Sequence, residues 1–102
     1  MKPADFSIGD GVVTHWSLAL LDPARPLLEQ LDELKEDLAQ IHYAKRDRYL
    51  DVGWYPEFST VGSFLVTVVE NQNWDEPIFK EASRTIADLQ AVVSRAAEAV
   101  AK

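Results

Sequence analysis

The 102-residue chain has no cysteine, and it also lacks other features that mark particular protein classes. The absence of cysteine excludes a disulfide scaffold, a thiolate metal site and a cysteine nucleophile, and nothing indicates an oxidising compartment. No stretch approaches the roughly 18 apolar residues of a membrane-spanning helix, and residues 1–10 lack the apolar run of a signal peptide. The sequence therefore predicts one cytoplasmic domain over residues 1–102.

Basic residues are scarce as well, because 10 Lys and Arg stand against 17 Asp and Glu and give a formal net charge of −7. Nucleic acids and anionic membranes repel such a chain, so we expect neither as a partner, whereas a basic protein is attracted to it. Hydrophobic residues make up 47% and charged residues 26%, which is typical of a folded globular domain.

The N-terminal half predicts a strand followed by a long helix. Alternating apolar residues indicate a strand over residues 12–21, with the even-numbered ones on its buried face, and a shorter strand is possible at residues 6–8. Asp22-Pro23 is typical of a helix start, and an apolar stripe carries the predicted helix to residue 41. The stripe consists of Leu27, Leu31, Leu34, Leu38 and Ile41. A coiled coil is the alternative, although the pattern lasts for fewer heptads than coiled coils usually need.

The C-terminal half predicts two strands, a short third strand and a second helix. The strands cover residues 49–58 and 64–70 and are joined by a hairpin loop, and the short edge strand begins at residue 78. Thr85, with Asp88 three residues on, is a capping pattern for the last helix.

These elements predict an α+β fold, a two-layer sandwich with a mostly antiparallel sheet and two helices on one face. If the first strand and the strand that begins at Tyr49 are neighbours, they are parallel and joined by a right-handed crossover. The other face of the sheet is then open to solvent or to a partner.

Acidic and aromatic residues are interleaved in residues 49–82, which contain six acids and the single base Lys80. Aromatic side chains supply buried contact area in protein interfaces, and carboxylates pair with Lys or Arg. The predicted partner-binding residues are Tyr49, Asp51, Tyr55, Glu57, Trp74, Asp75 and Glu76. The alternative is that the aromatics belong to the core, and for Trp54 the alternation with Leu50 and Val52 favours that position.

No pattern of catalytic or metal-binding residues is present, so we expect no enzyme activity, no metal and no cofactor. His15 and His42 are interpreted as surface histidines, the second at the C-terminal end of the first helix. Asp51 and Glu57 share a strand face but lie about 20 Å apart at the usual rise, too far for a glycosidase pair. The acids of the predicted first helix could hold Ca²⁺ or Mg²⁺ weakly, but a solvated helix face is the favoured interpretation. These acids are Glu29, Asp32, Glu33, Glu36 and Asp37.

Residues 51–57 (Asp-Val-Gly-Trp-Tyr-Pro-Glu), followed by residues 73–77 (Asn-Trp-Asp-Glu-Pro) and a capped helix, carry a family resemblance. Over roughly residues 49–90 the chain resembles the small immunity proteins of bacterial polymorphic toxin systems, including contact-dependent growth inhibition. The resemblance implies a cytoplasmic protein without cofactor that binds and neutralises one cognate toxin domain, often a basic nuclease. The competing hypothesis is a structural subunit that forms homo-oligomers through the open sheet face or the stripe of residues 27–41.

Overall fold

Five antiparallel strands, each paired with the next strand in the sequence, form the sheet of the protein. The computed structural model describes residues 1–102. The strands are β1 (Val12–Trp16), β2 (Ala39–Tyr43), β3 (Arg48–Tyr55), β4 (Ser63–Glu70) and β5 (Phe79–Ser83). Their spatial order is β1-β2-β3-β4-β5, and one α-helix, α1 (Ile86–Ala101), follows the last strand. Short 3₁₀ turns occupy Pro3–Asp5, Leu18–Leu20, Leu27–Glu33 and Ala44–Arg46.

The core lies between α1 and one face of the sheet. Side chains alternate along β3 and β4, so that Leu50, Val52 and Trp54 of β3 are buried beside Phe64 and its neighbours on β4. The rings of Trp54 and Phe64 meet edge to face with their centroids 5.0 Å apart. The helix buries Leu89, Val92, Val93, Ala96 and Val100 in the same cluster. This arrangement confirms the predicted α+β class, the mostly antiparallel sheet and the core position of Trp54.

Both ends of α1 are fixed by side chains. At the N-terminus the Thr85 hydroxyl accepts a hydrogen bond from the backbone N–H of Asp88 at 3.0 Å, as the sequence predicts. At the C-terminus the Arg48 guanidinium, only 12% exposed, donates to the carbonyl oxygens of Ala99 and Val100 and also pairs with Glu70. None of the helices combines the length and the apolar character needed to cross a bilayer.

The predicted helix over residues 22–41 is wrong. Pro26 is extended, residues 27–33 form 3₁₀ turns with a kink at Gln30, and the chain then enters β2. The Gln30 side chain holds the turn segment because its Oε1 accepts from the backbone N–H of Asp22 at 2.7 Å and its Nε2 donates to the Asp22 carbonyl. Ala39, Ile41 and Tyr43 are buried at every second position, which is a strand period, so the coiled-coil alternative fails as well.

The condition for a parallel crossover is not met, because β2 lies between β1 and β3 and all neighbouring strands are antiparallel. β1 ends at Trp16, and its register with β2 shifts between Val13 and His15. Because of this shift Val13 and Trp16 pack against the core, whereas Val12 is 65% exposed. No strand forms at residues 6–8.

Residues 35–38 continue the pairing of β2 with the end of β3, but with an outward loop in between. The backbone N–H of Leu38 donates to the Val52 carbonyl at 2.9 Å, and the N–H of Trp54 donates to the Lys35 carbonyl at 2.8 Å. Glu36 and Asp37 therefore project over the sheet face that α1 does not cover. We call residues 36–37 the acidic bulge. The Glu36 carbonyl occupies the space above Gly53 that a side chain would fill.

Replacing Gly53 by alanine is expected to destabilise the fold by about 2 kcal/mol, because the added Cβ overlaps the backbone of Glu36 and the Tyr55 ring. The measurement is urea unfolding followed by circular dichroism. Ser63→Ala, at the register position opposite Tyr55, is the control and should lie within about 0.5 kcal/mol of wild type. Equal stability of the two variants would show that the backbone of the acidic bulge can move away from residue 53 at little cost, and would contradict this prediction.

Candidate protein-binding site

One face of the sheet has no covering layer, because α1 packs against β3, β4 and β5 from the other side only. We call this uncovered surface the open face. The strand register places Gln40 and Thr67 on either side of Asp51, and His42 and Val69 on either side of Tyr49. Of the predicted partner-binding residues, Tyr49, Asp51 and Tyr55 therefore lie on one face of β3. The open side predicted for the sandwich is present.

Asp51 lies near the middle of the open face, in a shallow polar depression. Together with His15, Asp37 and Gln40 it lines a volume of about 240 Å³. The pKa of the Asp51 carboxyl is raised to about 6, chiefly by burial and also by the negative charge of Asp37, while His15 acts in the opposite direction. The charged form of Asp51 is thus less stable here than it would be in water.

His15 connects the first strand to the acidic bulge. Its Nε2 lies 3.0 Å from the carbonyl oxygen of Asp37 and 3.0 Å from the Ser17 hydroxyl oxygen. Since a carbonyl oxygen only accepts hydrogen bonds, Nε2 carries a proton and donates it in this contact. His15 is exposed, as the sequence predicts, but it also helps to hold Asp37 beside Asp51.

Tyr55 marks the acidic end of the open face and is 39% exposed. Burial raises the pKa of its hydroxyl, and four carboxylates raise it further, namely Asp51, Glu36, Asp37 and Glu57. Glu57 follows β3 rather than belonging to it, and its Oε1 accepts a 3.4 Å hydrogen bond from the backbone N–H of Glu36. Acids from two distant parts of the sequence therefore surround one exposed tyrosine.

The other end of the open face is aromatic. Tyr49 stacks on His42 with centroids 4.4 Å apart, and His42 Nε2 lies 3.0 Å from Asp47 Oδ1. Trp74, 47% exposed, lines a second depression of about 200 Å³ together with Tyr49 and Gln40. The placement of His42 at a helix end is wrong, because the residue lies in β2. The structure brings Tyr49 and Trp74 together, as an interface role requires.

The remaining predicted residues, Asp75 and Glu76, are exposed in the loop between β4 and β5, beyond Trp74. Sequence reasoning did not assign Glu36 and Asp37 to this site, because both were interpreted as part of a solvated helix face. The proline at position 26 was the available signal against that helix.

The open face offers carboxylates and exposed aromatic rings, a combination suited to binding Lys or Arg side chains of another protein. No group of three or more His, Asp and Glu side chains is arranged to hold a metal ion. Comparisons of the chain with protein-family models, with curated proteins and with solved structures found no match.

Asp51→Asn is expected to stabilise the protein above pH 6 and to have no effect below about pH 4. The folded state raises the pKa of Asp51 to about 6 from an ordinary value of 3.8, so folding favours the protonated carboxyl. The wild type therefore loses stability as the pH rises through this window, and the neutral amide does not. After discounting for partial exposure we expect a gain of about 1–2 kcal/mol at pH 7.5.

The measurement is urea unfolding at pH 4.0 and pH 7.5, with Asp75→Asn in the exposed loop as the matched control. The control should differ little from wild type at either pH. A gain for Asp51→Asn that is equal at the two pH values would contradict the electrostatic explanation.

Proposed function

We propose that the chain is an immunity protein that binds and neutralises a cognate, basic toxin domain, such as a nuclease, through its open face. The observation that carries this proposal is the position of Asp51. Its carboxyl lies between strands on an uncovered face, beside a second acid, where burial and Asp37 both raise its pKa. Acids retained at a cost in stability are typical of functional surfaces.

A cationic partner removes this cost. An Arg or Lys side chain placed over Asp51 pairs with its carboxylate and with that of Asp37, and the energy gained rises because the site is partly desolvated. The charge of −7 steers a basic protein toward the chain over a longer range. Electrostatic attraction of this kind predicts fast association and strong dependence on salt concentration.

The exposed aromatic rings supply the apolar part of the interface. Tyr55 and Trp74 are 39% and 47% exposed and lie on either side of the depression at Asp51. Rings of this size dominate the binding energy of many interfaces once a partner buries them. Aromatic anchors around a charged centre fit a protein surface better than they fit a small ligand.

A toxin domain as the partner follows from the resemblance of residues 49–90 to immunity proteins. The features of this chain agree with it: small size, no cysteine, excess acid and a sheet with one uncovered face. A cytoplasmic location belongs to the same proposal.

Charge reversal at Asp51 and truncation of Tyr55 are expected to weaken binding at least about tenfold each, because they remove the central carboxylate and an aromatic anchor. The immobilised chain is exposed to a lysate of cells that carry its gene, at about 0.05 M and about 0.5 M salt. A retained basic protein is identified, purified and tested for toxicity with and without the chain. Affinities are then measured for wild type, Asp51→Lys and Tyr55→Ala.

Glu98→Lys is the matched control, because it makes the same change in net charge on the exposed side of α1. It should weaken binding only slightly, through long-range attraction. If Asp51→Lys binds as tightly as Glu98→Lys, the open face is not the interface. If the wild type retains no basic protein, or if the retained protein is not toxic, the proposed function is wrong.

Self-association is the competing function. Two surfaces were expected to pair copies of the chain, and one of them is not available in the structure. Of the stripe that was expected to pair copies, Leu34, Leu38 and Ile41 are in the core. The second route, pairing of two open faces, brings the acidic bulges of both copies together and is opposed by like charge. Sedimentation of the free chain as a dimer at micromolar concentration would favour this function.

A further inference from the structure

The loop between β3 and β4, residues 56–62, exposes two large apolar side chains at the tip of the hairpin. Phe58 is 49% exposed and Val61 is 77% exposed. The sequence predicts a strand that runs to Phe58, but β3 ends at Tyr55 and Phe58 lies outside the core. We call these two exposed apolar side chains, three residues apart in the loop, the hairpin tip.

The backbone under the hairpin tip is firmly held. The indole Nε1 of the buried Trp54 donates to the Ser59 carbonyl at 2.9 Å, and the N–H of Phe58 donates to the Leu34 carbonyl at 2.8 Å. The Arg84 guanidinium donates to the Thr60 carbonyl at 3.2 Å. Gly62 lies so close to the Trp54 ring that no side chain fits there. A loop held at this many points loses little conformational entropy when it binds.

Phe58 also adopts a backbone conformation that does not suit it. Its φ of 61° lies in the left-handed region, where Gly and Asn are favoured and a bulky residue is strained. Phe58 is 49% exposed and lies outside the core, so packing of its side chain returns little of this cost. Backbone strain and exposure at the same residue indicate that Phe58 serves binding to a partner rather than the stability of the fold.

The hairpin tip borders the acidic end of the open face. Glu57, next to Phe58, accepts a hydrogen bond from the backbone of Glu36 in the acidic bulge. Tyr55 of the open face is separated from Phe58 by two residues. A partner that covers the acidic bulge therefore also meets the hairpin tip.

From these observations we infer that Phe58 and Val61 are the apolar anchor of the interface, inserted into a hydrophobic pocket of a protein whose pocket rim carries Lys or Arg. The inference rests on the proposed function and extends it, because it names the shape and chemistry of the partner's surface. The pocket receives the two side chains, and the basic rim pairs with Glu57 and Glu36.

Phe58→Asn and Val61→Ser test the anchor in two independent measurements. The first is thermal and urea unfolding of the purified chain, which needs no partner. Because Asn is favoured at positive φ, we expect unfolding midpoints for Phe58→Asn at or above those of wild type. A midpoint clearly below wild type would show that Phe58 serves the stability of the fold and would overturn the inference.

The second measurement is the affinity of both variants for the purified basic protein that the wild type retains at low salt. We expect binding at least about tenfold weaker for each variant. Ile78→Ala is the matched control, because Ile78 is 45% exposed and lies at the opposite end of β4 from the tip. Its affinity should stay within about twofold of wild type.

The outcomes separate the two proposals. If Asp51→Lys loses binding while Phe58→Asn and Val61→Ser retain it, only the hairpin anchor is overturned. If all three variants bind like wild type, both the open face and the anchor are wrong. If the wild type retains no basic protein, the proposed function fails and the anchor fails with it.

Discussion

The buried Trp54 is the residue on which the candidate site depends. Its backbone N–H holds the Lys35 carbonyl and so fixes the acidic bulge above the open face. Its indole N–H holds the Ser59 carbonyl and so fixes the hairpin tip. Its ring, fully buried against Phe64, anchors both contacts in the core. One core residue, through its backbone and its side chain, therefore holds both the segment that carries the acids and the loop that carries the apolar tip.

The few basic residues are used unevenly, and this leaves the open face acidic. On the helix side Arg48 pairs with Glu70 and with the end of α1, and Arg95 pairs with Glu81. Two strand acids are neutralised there, one in β4 and one in β5. No equivalent ion pair neutralises Asp51 or the acidic bulge, and only His15 counteracts the rise in the Asp51 pKa. The strand acids on the helix side are therefore paired within the chain, whereas the acids on the open face are free to pair with a partner.

The sequence was sufficient for the parts of the fold in which local signals agree with burial. Alternation along β3 and the Thr85 cap each match the structure, and alternation alone placed Tyr49, Asp51 and Tyr55 on one face. The helix prediction for residues 22–41 failed because leucines at steps of three and four also suit a turn segment that packs against a core. In that segment proline and a side-chain hydrogen bond from Gln30 override helix propensity.

The error had a consequence for the site. A helix would have placed Glu36 and Asp37 on a solvated surface, whereas the outward loop between β2 and β3 brings them to Asp51 and Tyr55. The positive φ of Phe58 could not be predicted from the sequence either. No residue pattern in 56–62 indicates that a phenylalanine takes a backbone conformation usually adopted by glycine. Long-range backbone pairing decided both features, and such pairing has no signature within a short window of sequence.

The chain-order pairing of the strands also determines how the protein reaches its folded state. Each of β2–β5 joins a strand formed just before it, and α1 docks on the strands that immediately precede it, so most closures involve short loops. Short closures cost little entropy and are associated with fast folding. The long connection between β1 and β2 is the one slow closure expected. With its strands paired in this order, the chain is expected to complete its fold soon after synthesis.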